Sequence, residues 1–484
     1  MKLTSGLLIF AFLLFLSCSK NKMTFDNALC IENISIIDPV NGLKANQTVI
    51  LKDGKIFKVE STSNLILSSD NEIIDGTGKF LIPGLWDAHV HFAFLEELAP
   101  SMFDLFLAYG ITSVRDTGGK FEFVKKYKDL SLRDPLNSPR VMIAGPLLDG
   151  MPNVYDGSDL QHPELSVGLA TEEDVISQIS KLDSLGVDLL KAYEMLTPEQ
   201  FEVLAKYGKK HNLKVTGHVP LSMDVISASN AGLSSLEHLR NLELSCASNA
   251  DELWEKRKQI LKEGKNEPGG VLRSKIHTLQ RKTAVENYDD KKADEVLAVM
   301  AKNETWQIPT LALNTAFTKK HFTRDDFQKS FEYLPVSIEK QWKESIKGLA
   351  LREATAFNIQ YTEWKINMVR KIHETGIDIM AGTDCPIFFL TPGLSLHEEL
   401  AILVESGLTP LEALKTATYN PAKYFNLENE LGQIDENYWA DLIILDANPL
   451  EAITNTTKIN AVIKQGNLFS KEDINSIFER LDNQ

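Results

Sequence analysis

Residues 171–220 read TEEDVISQISKLDSLGVDLLKAYEMLTPEQFEVLAKYGKKHNLKVTGHVP, and this stretch decides the fold. The first sixteen residues have helical spacing, with Thr171 placed to cap the helix and Gly186 to end it. VDLLKAYE follows as a short, largely apolar strand. Thr197-Pro198 then opens a second amphipathic helix as a cap and first-turn pair, and LKVTGHVP is strand-like again. Helix and strand alternating over short joins is the repeat of a parallel sheet.

Outward from there the alternation continues. WDAHVHF (86–92), ITSVRDTG (111–118) and RVMIAG (140–145) precede it, and SSLEHL (234–239), WQIPTLAL (306–313) and IDIMAGTD (377–384) follow. Eight such segments predict an α/β protein built on a (β/α)8 barrel. A doubly wound open sheet is the alternative, but no glycine-rich nucleotide fingerprint follows the first strand. Both ends of the chain read differently. ALCIENISIID, QTVILKDGKIFKVE and EIIDGTGKFLIPG alternate apolar and polar positions around Asp-Gly turns, and LGQIDENYWADLIILD and INAVIKQGNLF repeat the style. The expectation is a small β-sandwich built from both ends, with parts at 28–82 and 426–484 flanking a barrel at 83–425. Two connections, about 239–305 and 314–371, are too long for single helices and rich in Lys, Glu and Asp. They read either as solvated helical hairpins or as a cap over the barrel mouth.

Composition narrows the function. The chain has 484 residues, 43% of them hydrophobic, which is enough for a large barrel and a smaller domain. Its 51 basic and 67 acidic residues leave a net charge of −16, which argues against a nucleic-acid partner. Such a surface also repels anionic substrates at long range unless a local cationic pocket overrides it. At the start, Lys2 and the apolar run Leu7–Leu16 resemble a signal peptide that ends at Cys18 (residues 1–18). A bacterial lipoprotein signal would make Cys18 the lipidated anchor that holds the protein to a membrane of the cell envelope. A plain secretory signal is the alternative, and either places the chain outside the cytoplasm. Cys30, Cys246 and Cys385 show no CxxC spacing, so buried free thiols are expected rather than a disulfide scaffold or a cysteine zinc site.

The chemistry lies at strand ends. His89 and His91 are two apart, so on a strand both imidazoles face one side and could chelate a divalent ion. Alone, the pair equally describes hydrogen-bonded core histidines. Lys191 ends the apolar run Val187–Leu190, where an unpaired ammonium is costly. His218 closes LKVTGH, His238 closes SSLEH and Asp384 closes GIDIMAGTD. In a barrel those ends converge on one face, where one shared site accounts for all of them. His162, His211, His277, His321, His373 and His397 fall in loops, insertions or helices and read as structural or surface residues.

PGLWDAHVHF, followed by the strand-end Lys, His, His and GTDCP, resembles the amidohydrolase superfamily, and more narrowly its imidazolonepropionase-like and prolidase-like branch. KTATYNPAKYFNLENELGQIDENYWADLIILDANPL resembles that family's exit from barrel to sandwich, so the likeness runs from about Ala28 to Phe469. The resemblance implies two divalent ions, with zinc as the default. His89, His91 and Asp384 would hold the more buried ion, and His218 and His238 the more exposed one. Lys191 would bridge them as a carbamate formed with carbon dioxide. Burial lowers a lysine pKa and frees the amine for that reaction. Two ions lower the pKa of a shared water, and Asp384 would take its proton and deliver it to the leaving nitrogen.

The reaction that follows is hydrolysis of a C–N bond in a small-molecule amide, peptide or cyclic amide. Phosphotriester or lactone hydrolysis on the same centre, and an inactive lipid-anchored binding protein, are the other readings. For substrate contacts, Tyr193 shares a face with Lys191, and the guanidinium fork of Arg115 suits a carboxylate. Arg115 could instead pair with Asp116 or another neighbour, and Arg240 is a weaker candidate.

Overall fold

The caps at 171–220 form as the side chains dictate. The Thr171 hydroxyl accepts from the Asp174 N–H, and the Asp174 carboxylate accepts in return from the Thr171 N–H, opening α1 (Glu172–Ser184). Thr197 and Gln200 make the same reciprocal pair for α2 (Pro198–His211). The structure, a computed structural model, describes residues 23–158 and 162–483. The leader at 1–18, with Cys18, lies outside the described residues. Among the described residues, no helix is long and apolar enough to cross a membrane.

The barrel strands are β1 (Leu85–Val90), β2 (Ile111–Asp116), β3 (Arg140–Ile143), β4 (Leu147–Gly150), β5 (Leu189–Ala192), β6 (Lys214–Gly217), β7 (Ser235–Glu237) and β8 (Trp306–Ile308). β1, β2 and β3 pair in parallel, and so do β4 to β8 in order. β3 and β4 are two halves of one path, broken at 144–146, where Pro146 has no N–H to give a ladder. β8 stops at Ile308 rather than running on as WQIPTLAL, because Pro309 ends the ladder and a short helix begins at Leu311. The last turn of the barrel is an irregular segment, 379–385. Ile379 bridges Gln307 on one side and Cys385 bridges Val90 on the other, and the Ala88 N–H donates to Ala381 O at 2.9 Å. The result is a distorted (β/α)8 barrel.

Strands from both ends of the chain join a single eight-stranded sheet beside it. The joint is Leu442–Leu445 running antiparallel to Phe80–Pro83, the segment that leads straight into β1. Ile31, Val49, Leu81, Leu442 and Ile463 close its apolar core. The first long connection forms α3 (Ala250–Glu263), α4 (Gly269–Glu286) and α5 (Asp290–Lys302), and the second ends in α6 (Val336–Ala350) and α7 (Ala356–Glu374). α4 sends Arg273 into the cavity at the barrel mouth, so this insertion acts as a cap.

Candidate metal centre

His89 ends β1 with its Nε2 3.3 Å from Asp384 Oδ1 and 3.3 Å from His91 Nε2. His91 Nε2 lies 3.0 Å from the same carboxylate oxygen. Three ligand-type atoms therefore meet at one buried point. Outer partners fix how the rings face it. His91 Nδ1 donates to Gly118 O at 3.0 Å and His218 Nδ1 to Glu194 Oε1 at 2.6 Å, while His238 Nδ1 is 2.7 Å from the Thr310 hydroxyl. In the first two, the acceptor can only accept, so Nε2 keeps a lone pair free for a cation.

Burial depresses the His89, His218 and His238 pKa values well below the ordinary range, and neutral imidazole is the form that ligates. His89 Nδ1 and Asp384 Oδ1 are buried without a hydrogen-bond partner, a state that a bound cation relieves. His89, His91 and Asp384 form one group able to hold an ion, and His89, Glu237 and His238 form another. The two share His89 and together describe a binuclear site for divalent cations.

Lys191, at the end of β5, is buried in the same place. Burial first, and then the charge of Arg115, hold its pKa well below that of a free lysine. Its Nζ touches Glu237 Oε2. Glu237 escaped the sequence reading. It lies inside the barrel, accepting from Arg115 Nη2 at 2.9 Å and from the Thr216 hydroxyl at 2.6 Å.

These contacts correct the expectation for Arg115. Its side chain is fully buried and committed to Glu237 and the Ala88 carbonyl, beneath the site, and it does not line the cavity. The cavity wall instead carries Tyr193, whose ring centre is 4.4 Å from that of His218, together with Tyr155, Arg240 and Arg273. The structure thus brings His89, His91, Lys191, His218, His238, Asp384 and Tyr193 to one cavity. Arg273 joins them in the cavity wall and Glu237 lies inside the barrel against Lys191, and neither stands out in the sequence beyond its charge. The three cysteines outside the leader are free and buried.

The profile of the amidohydrolase family matches residues 80–469. The chain belongs to the amidohydrolase family. With its buried ligand cluster, this amidohydrolase is a metal-dependent hydrolase acting on carbon–nitrogen bonds. An ochratoxinase from Aspergillus niger is 24% identical over 447 residues, 80% of this chain and 75% of that protein. A dihydroorotase from Streptococcus pneumoniae is 44% identical over 64 residues, so the match spans only 14% of that protein and 13% of this chain. A Xaa-Pro dipeptidase crystallised with methionine in its active site superposes with a TM-score of 0.65 at 19% identity, over 92% of this chain and 100% of that one. That superposition shows the fold.

Proposed function

We propose that this amidohydrolase cleaves the amide bond of a small substrate bearing a carboxylate, such as an N-acyl amino acid or a dipeptide. One observation carries the reading: Arg240 and Arg273 both line the cavity beside the metal centre in a chain of net charge −16. Each has one guanidinium nitrogen near Glu194, at 3.9 Å for Arg240 and 3.1 Å for Arg273. Two cations against one shared carboxylate leave a local positive excess that suits a substrate anion. A relative named as a Xaa-Pro dipeptidase holds an amino acid, methionine, in its own active site, which agrees with this reading.

His89, His91 and Asp384 would hold one divalent ion, His218 and His238 the other, with zinc as the metal expected of a histidine-rich set. Such ions supply a more acidic water and a polarised carbonyl. Lys191, whose pKa burial holds well below that of a free lysine, would react with carbon dioxide through Nζ with loss of one proton, and the carbamate would supply anionic oxygens as ligands for the two ions. Asp384 takes the proton of the attacking water and returns it to the leaving nitrogen as the C–N bond breaks. Tyr193 and the two arginines orient the substrate carboxylate.

The test is a screen of N-acyl amino acids, Xaa-Pro dipeptides, their carboxamides and lactones, with metal content measured alongside. Free carboxylates are expected to turn over and carboxamides to fail. Asp384→Asn is expected to keep its fold and lose about 10²–10⁴-fold in kcat. Equal turnover of carboxamides or preference for lactones would reject the substrate class, and an active Asp384→Asn would reject the proton carrier.

The leader at 1–18 supports a second reading, in which a lipid on Cys18 would hold the protein at a bacterial envelope membrane. Cys18→Ser is then expected to move it from the membrane fraction to the soluble one, and unchanged fractionation would refute the anchor.

A further inference from the structure

Glu194 lies between two histidines drawn from distant parts of the chain. Its Oε1 accepts from His218 Nδ1 at 2.6 Å and its Oε2 from His277 Nε2 at 2.7 Å. His218 follows β6 at the metal centre, whereas His277 belongs to the cap helix α4. Arg273 is four residues before His277, hence on the same face of α4, and its Nε donates to Oε1 at 3.1 Å. Glu194 itself is wholly buried. Both oxygens are therefore engaged, one by the centre and the cap together and the other by the cap alone.

Each contact has a chemical consequence. The carboxylate accepts only, so it fixes the His218 hydrogen on Nδ1 and turns the Nε2 lone pair toward the cavity. A buried carboxylate with no cation beside it would be costly, and here the cation comes from the cap. Without α4, Glu194 would keep Arg240 at 3.9 Å as its nearest guanidinium. The orientation of a ligand-type imidazole thus depends on a helix from an insertion.

We propose that Glu194 is a positioning residue for His218, held in place by Arg273 and His277 of α4, so that docking of the cap sets how tightly the second divalent ion is bound. The inference rests on the ligand set given above, in which His218 and His238 serve the more exposed ion. Loss of such an outer partner typically weakens metal binding by about 10–100-fold.

The experiment measures Zn²⁺ binding to the full chain by competition with a chromophoric chelator, which needs no substrate. Wild type is expected to take two ions. Glu194→Ala should bind the first as wild type does and the second about 10–100-fold more weakly. Glu194→Gln should recover part of the loss, because its amide oxygen can still accept from His218, and His277→Leu should weaken the same ion by less. A second ion held by Glu194→Ala as tightly as by wild type would overturn the positioning role. Should that variant fail to fold, Glu194→Gln and His277→Leu decide it: wild-type affinity in both overturns the inference, and in His277→Leu alone it removes the cap from it. A wild type that binds one ion overturns the two-metal reading itself, a result distinct from all of these.

Discussion

Glu237 and His238 are adjacent, yet both face the barrel interior. Strand alternation would send neighbours to opposite sides. The chain escapes it because His238 and Leu239 adopt φ of 58° each, a left-handed conformation that non-glycine residues enter at a cost. Asp384 does the same at φ 67°. That is why the ligand-type residues were legible as strand-end letters while Glu237 was not: the rule that places His89 beside His91 places Glu237 outside. The partner of Arg115 is hidden by the same rule, since the ion pair it makes is with Glu237. That contact assigns it a structural role, which Arg115→Met tests. The substitution leaves Glu237 without its guanidinium, and stranding a buried partner costs about 3–5 kcal/mol. Thermal melts should show the loss, and Arg115→Lys should not restore it because an ammonium lacks the planar fork. A variant with a wild-type melt and only a raised KM would return Arg115 to the substrate.

At the scale of elements, the helices that begin with Thr-x-x-Asp or Thr-Pro-x-Gln were readable because capping is local chemistry. Most of the barrel strands were readable as short, largely apolar runs, several with a ligand-type residue at or just past the end. The insertion was not. In α4, Arg273, His277 and Arg281 recur every fourth residue, one charged face that on letters alone reads as solvated. Only tertiary packing turns that face inward, with Arg281 Nε 3.3 Å from Glu243 Oε1 and His277 on Glu194. β6 shows the converse, a small letter with a large consequence. A Cβ on Gly217 would come 2.1 Å from Ala192 O, so β5 and β6 reach their spacing, and carry Lys191 and His218 side by side, only because that residue is glycine.

The molecule as a whole carries its acidity in two ways, as a solvated surface and as carboxyls buried inside the fold. Asp87 accepts from the His89 and Thr383 N–H groups at 3.2 and 3.0 Å, tying β1 to the irregular closing segment, and burial raises its pKa to about 7. Glu399 is the extreme case. Its Oε2 accepts from the Ala312 N–H at 2.6 Å, its Oε1 has no partner, and burial raises its pKa from 4.5 to about 8. The folded protein thus keeps a proton that the unfolded chain releases above pH 4.5. Because the unfolded state binds fewer protons in this window, the contribution of Glu399 to stability falls as pH rises from about 4.5 toward about 8, and levels off above it. Glu399→Gln keeps an acceptor for Ala312 but has no proton to lose. Its stability relative to wild type is therefore expected to grow with pH, by on the order of 3 kcal/mol between pH 5 and pH 8. Melts of both proteins across that range check it, and taking the difference between them cancels the pH dependence of every group they share. Parallel curves would mean that Glu399 ionises in the fold as it does in water.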